Sequence, residues 1–104
     1  MPPDGPALSY TGLFLLQALA RGYRFGFDIM EVTGLPSGTI YPALRRLEAL
    51  ELVRSDWESD RHAREHGRPR RRYYELTAAG RRKLGEAEAR YRALGRLFPG
   101  RSTT

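Results

Sequence analysis

The sequence has 104 residues, which is enough for one small domain and leaves no room for a second catalytic lobe. Its formal net charge is +6, and it contains no cysteine, which excludes disulfide frameworks, thiolate catalysis and cysteine-based zinc sites. The N-terminus has no signal-peptide pattern, and the longest apolar run is well short of the roughly 20 residues that a membrane span needs. We therefore expect a cytoplasmic protein without a membrane segment.

Positive charge is concentrated in one short segment and in the C-terminal part of the chain. Residues 61–72 carry six arginines against a single acid, whereas residues 1–60 carry a net charge of −3. Such clustering is typical of a surface that binds a polyanion, most often nucleic acid. A solubilising surface explains the charge alone equally well, so the choice depends on the structural elements that carry it.

Three helices are predicted before the first strand. After a proline-rich arm (residues 1–8), an apolar helix covers residues 9–20 and a short helix covers residues 27–32, with Gly34 as its C-terminal cap. A third helix is predicted to begin at Ser37, a candidate N-cap, and to run to about Leu50. Short helices joined by a tight, glycine-containing turn and followed by a longer helix indicate a helix-turn-helix.

A β-hairpin with a long basic loop is predicted to follow the third helix. Residues 52–59 and 73–76 are the two β-rich segments, and the loop between them contains Gly67 and Pro69. Thr77 is the predicted cap of a final helix that runs to about Phe98, before a polar tail of residues 99–104. The predicted fold is mainly α with a small β-hairpin: a winged helix-turn-helix DNA-binding domain over residues 9–76 and a C-terminal dimerisation helix over residues 77–98.

The third helix has one apolar face and one face suited to DNA. Helical spacing directs Ile40, Leu44 and Leu47 toward the core. Small, hydroxylated and guanidinium side chains on the opposite face could enter a major groove and contact base edges. The predicted DNA-binding residues of this helix are Ser37, Gly38, Thr39, Tyr41, Pro42, Arg45 and Arg46. An ordinary solvated polar face is the alternative for this helix alone, and the basic loop that follows favours DNA.

The arginines around Pro69 suggest a second DNA contact. Proline favours an extended backbone, and an extended arginine-rich tip fits a narrow minor groove, where the negative potential is strongest. The predicted contacts in this loop are Arg68, Pro69, Arg70 and Arg71. Strand alternation prevents Arg71 and Arg72 from both facing DNA, so one of them is expected to pair with Asp56, Glu58 or Asp60. Trp57, Tyr73 and Tyr74 are expected to pack within the hairpin rather than to stack on bases.

The final helix has an apolar seam with alternating spacings of three and four residues. We expect this seam and the first helix to form a two-fold homodimer, with docking on the protein's own core as the alternative. The predicted dimer residues are Leu13, Leu16, Leu84, Ala87, Tyr91, Leu94 and Phe98. Any small-molecule effector is expected where the two copies meet, near Phe14, Tyr91 or Phe98.

Motifs for catalysis are missing from the sequence. It contains no glycine-rich phosphate loop, metalloprotease helix or nucleophile motif, so we predict no enzyme activity and no cofactor. His62 and His66 are four residues apart, which could place both on one metal only in a helix, and we predict no metal site in the basic loop. The rival function is that of a winged-helix protein-interaction or RNA-binding module without operator specificity.

Two segments resemble the PadR-like family of winged helix-turn-helix transcriptional regulators. FGFDIMEVTGLPSGTIYPALRRLEALELV is similar to the start of the family's second helix and to its recognition helix, and GRPRRRYYELTAAG is similar to its wing-to-helix segment. The resemblance covers about residues 10–85. It implies a homodimer that represses a nearby promoter by binding an inverted repeat in double-stranded DNA, often with release by a small effector.

The length favours the short subgroup, which has a single C-terminal helix. The sequence departs from the family pattern in three respects, one of which is a brief turn between the second and third helices. Phe25 stands where members commonly carry histidine, and the only tryptophan, Trp57, lies in the hairpin, whereas multidrug-binding members use a tryptophan on the last helix. The resemblance therefore does not imply a flat drug-stacking site.

Overall fold

The computed structural model describes residues 8–97 of the chain, and for residues 95–97 it describes the backbone alone. The elements in chain order are α1 (Tyr10–Ala20), α2 (Gly26–Thr33), α3 (Ser37–Ala49), β1 (Val53–Trp57), α4 (Asp60–Glu65), β2 (Arg72–Leu76) and α5 (Ala78–Leu97). This confirms a mainly helical fold with one antiparallel hairpin. Phe98, most of the predicted arm and the predicted tail lie outside the described residues.

Capping residues define several of the helix ends. The Ser9 hydroxyl accepts a hydrogen bond from the Gly12 amide at 3.0 Å and caps α1. Gly34 has a φ of 74° at the end of α2, which confirms the predicted glycine cap. The predicted N-cap at Ser37 is wrong. Pro36 already has the extended backbone of a cap and its carbonyl accepts from Thr39, so Ser37 is the first helical residue.

The core forms around α1, which packs against α2, α3, α5 and β2. Leu15 and Leu16 of α1 are fully buried, as are Ile29 of α2 and Ile40 and Leu44 of α3. The apolar spacing of these helices therefore faces a single shared core, as the sequence predicts.

Four predicted dimer residues belong to this core. Leu13, Leu16, Leu84 and Ala87 are 6%, 0%, 7% and 3% exposed, so the protomer itself covers them. The expectation that they line a dimer seam is therefore corrected. The reason is that the first half of α5 packs on α1 of the same chain, where the Gln17 amide also donates to the Glu88 carboxylate at 3.3 Å.

The start of α5 is fixed against the end of α3. The Thr77 hydroxyl accepts from the Gly80 amide at 2.9 Å, which confirms the predicted cap, and donates to the Glu51 carbonyl at 2.7 Å. A Cβ at Gly80 would overlap the Leu52 carbonyl oxygen. Glycine at this position therefore allows α5 to approach the backbone that leads into β1.

The hairpin joins β1 and β2 in antiparallel register, with Val53 opposite Leu76 and Trp57 opposite Arg72. A third extended segment adds to its edge, because Phe25 bridges Tyr73 and the Tyr74 amide donates to the Arg24 carbonyl at 2.9 Å. We call the segment from β1 to β2, including α4, the wing.

The basic loop is partly helical, which the sequence analysis did not predict. The Ser59 hydroxyl accepts from the His62 amide at 3.0 Å and caps the six-residue helix α4. This helix brings the rings of His62 and His66 to a centroid distance of 4.3 Å. Within residues 8–97, no group of three or more histidine, cysteine, aspartate or glutamate residues could hold a metal ion. None of the helices described there is long and apolar enough to cross a membrane.

Candidate nucleic-acid interface

One side of α3 is free of the core. Ser37, Gly38, Tyr41, Arg45 and Arg46 are exposed, and we call this set the recognition face. The other two predicted contacts, Thr39 and Pro42, are half-buried at its margin. The recognition face thus combines small, phenolic and guanidinium groups, which can approach base edges and phosphates.

A close backbone contact places Tyr41 on this face. The ring of Tyr41 lies against the backbone of Gly26, at the start of α2, and a Cβ at that position would overlap the Tyr41 hydroxyl and ring. The glycine therefore sets the position of an aromatic side chain on the recognition face. In this way α2 contributes to the recognition face without supplying a side chain to it.

The wing is tied to the recognition helix by a small polar network. The Ser55 hydroxyl donates to the Glu48 carboxylate at 2.7 Å and accepts from the Arg72 guanidinium at 2.7 Å. Arg72 also lies 3.7 Å from the Glu48 carboxylate. Burial raises the pKa of Tyr74 on β2, and Arg72 and Arg45 oppose that rise because both cations act on this hydroxyl. The hairpin and the C-terminal half of α3 are therefore neighbours on one side of the molecule.

Trp57 lies at the far end of this side. It is 48% exposed, so the expectation that it packs within the hairpin is wrong, whereas Tyr74 is buried as expected. The guanidinium carbons of Arg70 and Arg72 lie 5.8 and 5.5 Å from the centroid of its ring. Trp57 is the last residue of β1 and extends beyond the core, which is why it stays exposed.

Arg72 and Trp57 are interface candidates that the sequence analysis missed. The alternation of β1 places Val53, Ser55 and Trp57 on one side of the strand, and this side packs toward α3. Because directly opposite residues share a face, Arg72 must lie on the same side as Trp57. Strand alternation together with the hairpin register would have identified both residues.

A buried carboxylate occupies the base of the wing. Glu58 is only 6% exposed, and its carboxylate accepts from both terminal nitrogens of Arg68 and from the backbone amide of Arg71 at 3.0 Å. The Arg71 guanidinium lies 3.3 Å from the same carboxylate, which confirms that one of Arg71 and Arg72 pairs with an acid near the end of β1. The Arg68 guanidinium, followed by Arg71, holds the pKa of Glu58 far below its usual range, against the opposing effect of burial.

The four predicted wing contacts are therefore not equivalent. Pro69 and Arg70 are exposed, whereas the side chain of Arg68 is 25% exposed and held by Glu58. Arg71 pairs with Glu58, and its guanidinium carbon lies 3.7 Å from the centroid of the Phe25 ring.

An open groove of about 520 Å³ lies between α1 and α5. Phe14 and Tyr91, two of the predicted effector residues, both line it, and Tyr10 stacks on Tyr91 at a centroid distance of 5.4 Å. Phe98, the third, lies outside the described residues. We call the cluster of Tyr10, Phe14 and Tyr91, together with Leu94, which lies one helical turn after Tyr91 on α5, the apolar patch.

Similar solved structures share this architecture. A PadR-like transcription factor from Bacteroides fragilis is 28% identical, with a TM-score of 0.70 and 85% of each chain covered. A PadR family transcription regulator from Clostridium difficile R20291 is 25% identical, with a TM-score of 0.73, and the match covers 88% of this chain and 100% of that one. No curated protein matches the sequence.

BpsR of Bordetella bronchiseptica, whose DNA binding is regulated by 6-hydroxynicotinic acid, is 20% identical, with a TM-score of 0.73. The match covers 99% of this chain and 73% of that one, and at this identity it supports the shared fold alone. The model of the transcriptional regulator PadR-like family matches residues 15–86, which include the recognition face and the whole wing. The chain therefore belongs to the PadR-like family of DNA-binding transcriptional regulators, which are not enzymes.

Proposed function

We propose that this protein is a repressor that binds an inverted-repeat operator as a homodimer and is released by a small molecule. The observation that carries the proposal is that the recognition face and the exposed end of the wing lie on the same side of the fold. The network of Glu48, Ser55 and Arg72 joins the wing to α3, the helix that carries the recognition face. One duplex could thus meet both elements at once.

In this arrangement α3 enters the major groove and the wing approaches the adjacent backbone and minor groove. Arg45 suits a bidentate contact with guanine, and Ser37, near the helix N-terminus, suits a phosphate. Residues 61–72 carry a net charge of +5, which attracts a duplex independently of its sequence. Discrimination between DNA sequences thus depends mainly on α3, and affinity for any duplex depends mainly on the wing.

The apolar patch supports the dimer. Tyr10, Phe14 and Leu94 remain 65%, 45% and 42% exposed, although each is large and apolar. A contiguous exposed surface of this kind is typical of a contact with another protein. A two-fold contact through this surface would present two copies of α3 to half-sites roughly 34 Å apart, one turn of the duplex.

The groove between α1 and α5 supports an effector site at the same contact. Its walls include Tyr91 and Phe14, and its polar groups include Gln17 and Glu88. A second copy packed on the apolar patch would enclose this open groove. An aromatic effector bound there would then alter the spacing of the two recognition helices. Titration of phenolic and cationic aromatic compounds should identify one that weakens the binding of the protein to DNA. If none of these compounds weakens it, an effector of this class is contradicted.

Footprinting on the DNA upstream of the protein's own gene tests the operator. We expect two protected half-sites related as an inverted repeat and about one helical turn apart. A reporter driven by this promoter should be less active when the protein is present. Binding to RNA as tight as to this DNA, without a footprint, would instead favour the RNA-binding alternative.

A further inference from the structure

Glu58 occupies an unusual position for an acid on a surface that meets DNA. Its carboxylate is buried at the base of the wing, where it faces two guanidinium groups, and the His62 imidazole lies 3.6 Å away. An exposed acid here would repel a duplex, but this charge is neutralised within the protein by Arg68 and Arg71. The Glu58 carboxylate therefore has a role other than direct contact with DNA.

The hydrogen bonds of Glu58 join the two ends of the segment between β1 and β2. Its amide donates to the Arg71 carbonyl at 2.9 Å, and its carboxylate accepts from the Arg71 amide at 3.0 Å. Its carbonyl accepts from the Arg70 side chain at 2.8 Å. Both ends of the segment that contains α4 are thus joined through one residue. Loss of the carboxylate would leave a partly buried guanidinium, that of Arg68, without its main acceptor.

Arg71 carries this anchoring to the helix-turn-helix. Its guanidinium lies on the Phe25 ring as well as beside Glu58. Phe25 is the N-cap residue of α2 and immediately precedes Gly26, against which Tyr41 packs. The path from Glu58 through Arg71 to Phe25 therefore fixes the wing relative to the recognition face.

Arg70 and Arg72, the other two arginines of residues 68–72, pair with carboxylates that are more exposed than that of Glu58. Arg70 lies 3.5 Å from Asp60, whose side chain is 68% exposed, and donates to the Glu58 carbonyl at 2.8 Å. Arg72 lies 3.7 Å from Glu48, whose side chain is 35% exposed, and donates to the Ser55 hydroxyl at 2.7 Å.

Ion pairs of this length with exposed carboxylates contribute little to stability, so a phosphate can replace the carboxylates at low cost. Each guanidinium has five N–H donors and keeps some for a phosphate beside these hydrogen bonds. Arg70 and Arg72 also flank exposed Trp57, on the α3 side of the hairpin.

We infer that Glu58 is a positioning residue for DNA binding: it pairs with Arg68 and Arg71, so that among the arginines of residues 68–72 it is Arg70 and Arg72 that contact the duplex. This inference rests on the proposed DNA-binding surface. Arg68 and Arg71 then anchor the wing to Glu58, whereas Arg70 and Arg72 contact DNA. The sequence alone does not distinguish the two pairs.

The salt dependence of binding to a random-sequence duplex tests this division, because its slope counts the phosphates that a protein neutralises. We expect Arg70→Gln to lower the slope by about one unit for each wing bound. Arg68→Gln, the matched change on the same loop, should weaken binding and leave the slope unaltered. An equal fall of the slope in both variants would overturn the inference. Failure of the unmodified protein to bind the duplex would instead refute the proposed function itself.

Glu58→Gln tests the positioning role through specificity. The change keeps the shape of the side chain and removes no cation, so the salt slope should not become shallower. The ratio of operator affinity to random-duplex affinity should fall about tenfold, the loss expected for roughly one good base contact. The operator for this comparison is the sequence that the protein itself selects from a pool of random duplexes. An unchanged ratio in a folded Glu58→Gln protein would contradict the role.

Arginine labelling of the unmodified protein provides a test that does not depend on the folding of variants. A dicarbonyl reagent, with the products mapped by mass spectrometry, should label Arg70 and Arg72 readily in the free protein and much less on the duplex. Arg68 should react slowly in both states because Glu58 holds both of its terminal nitrogens. Rapid labelling of Arg68 that DNA suppresses would overturn the inference.

Discussion

Arg45 is the side chain on which sequence discrimination is expected to depend most. It is exposed on the recognition face of α3, the helix to which Arg72 of the wing is joined through Ser55 and Glu48. Arg45→Ala should reduce discrimination between operator and random DNA by about 1 to 3 kcal/mol, since a bidentate contact with guanine is lost. Competition binding with the two duplexes measures this difference.

Arg54→Ala is the matched control for Arg45→Ala. Arg54 is also exposed, but it pairs with Glu75 on β2, at a position of β1 that alternates with the side facing α3. Its loss should leave discrimination unchanged. Equal losses in the two variants would show that net charge, rather than the position of Arg45, determines specificity.

Gly26 should affect DNA binding through Tyr41. In Gly26→Ala the new methyl group would displace the Tyr41 ring, because the two would overlap. We expect weaker operator binding and a loss of stability of about 1 to 3 kcal/mol, the usual cost of overpacking. The double variant Gly26→Ala/Tyr41→Ala should recover stability in thermal melting but not operator affinity. Full recovery of both would contradict a role for Tyr41 at the interface.

At the scale of elements, helical spacing and turn residues predicted α1, α2, α3 and the hairpin. Helix α4 was missed because six residues provide little periodicity, and the segment is held by the Ser59 cap and the contacts of Glu58 with distant arginines. The same contacts explain why the sequence presents Arg68 as a free cation. An ion pair between residues ten positions apart has no local sequence signature.

The start of α5 provides a prediction about packing. Gly80→Ala would press a methyl group into the Leu52 carbonyl, and backbone is less able to move than a side chain. We expect a loss of about 1 to 3 kcal/mol in the free energy of unfolding. Gly85→Ala is the control in the same helix, because a Cβ there meets no atom within 4 Å. It should stabilise the protein by about 0.5 to 1 kcal/mol. Denaturant unfolding measures both variants, and a Gly85→Ala protein less stable than the Gly80→Ala protein would contradict this explanation.

At the scale of the whole molecule, the apolar seam of α5 has a buried part and an exposed part. Leu84 is 7% exposed in the core, whereas Leu94 is 42% exposed on the apolar patch. Leu84→Ala should destabilise the protomer by about 2 to 5 kcal/mol, as expected for a buried leucine. Leu94→Ala should weaken the dimer, which light scattering over a range of concentrations measures.

A Leu84→Ala protein that is monomeric but as stable as the unmodified protein would contradict this division of α5. A monomer at micromolar concentration in the unmodified protein would contradict the proposed dimer itself. Periodicity predicted which side of α5 is apolar, but not what covers it. The core of the same chain and a second copy require the same residue types, so the division between Leu84 and Leu94 emerged only from the packing of α5 on α1.

Site-directed cleavage of bound DNA shows whether α3 and the wing meet one duplex at adjacent grooves. The chain has no cysteine, so Ser37→Cys and Pro69→Cys each create a unique position for a tethered iron chelate that cuts nearby DNA. We predict cuts from position 37 within each operator half-site and cuts from position 69 in the flanking minor groove, about half a helical turn away. Cuts at the same place from both positions, or no cutting from position 69 on bound operator, would contradict the placement of α3 and the wing in adjacent grooves.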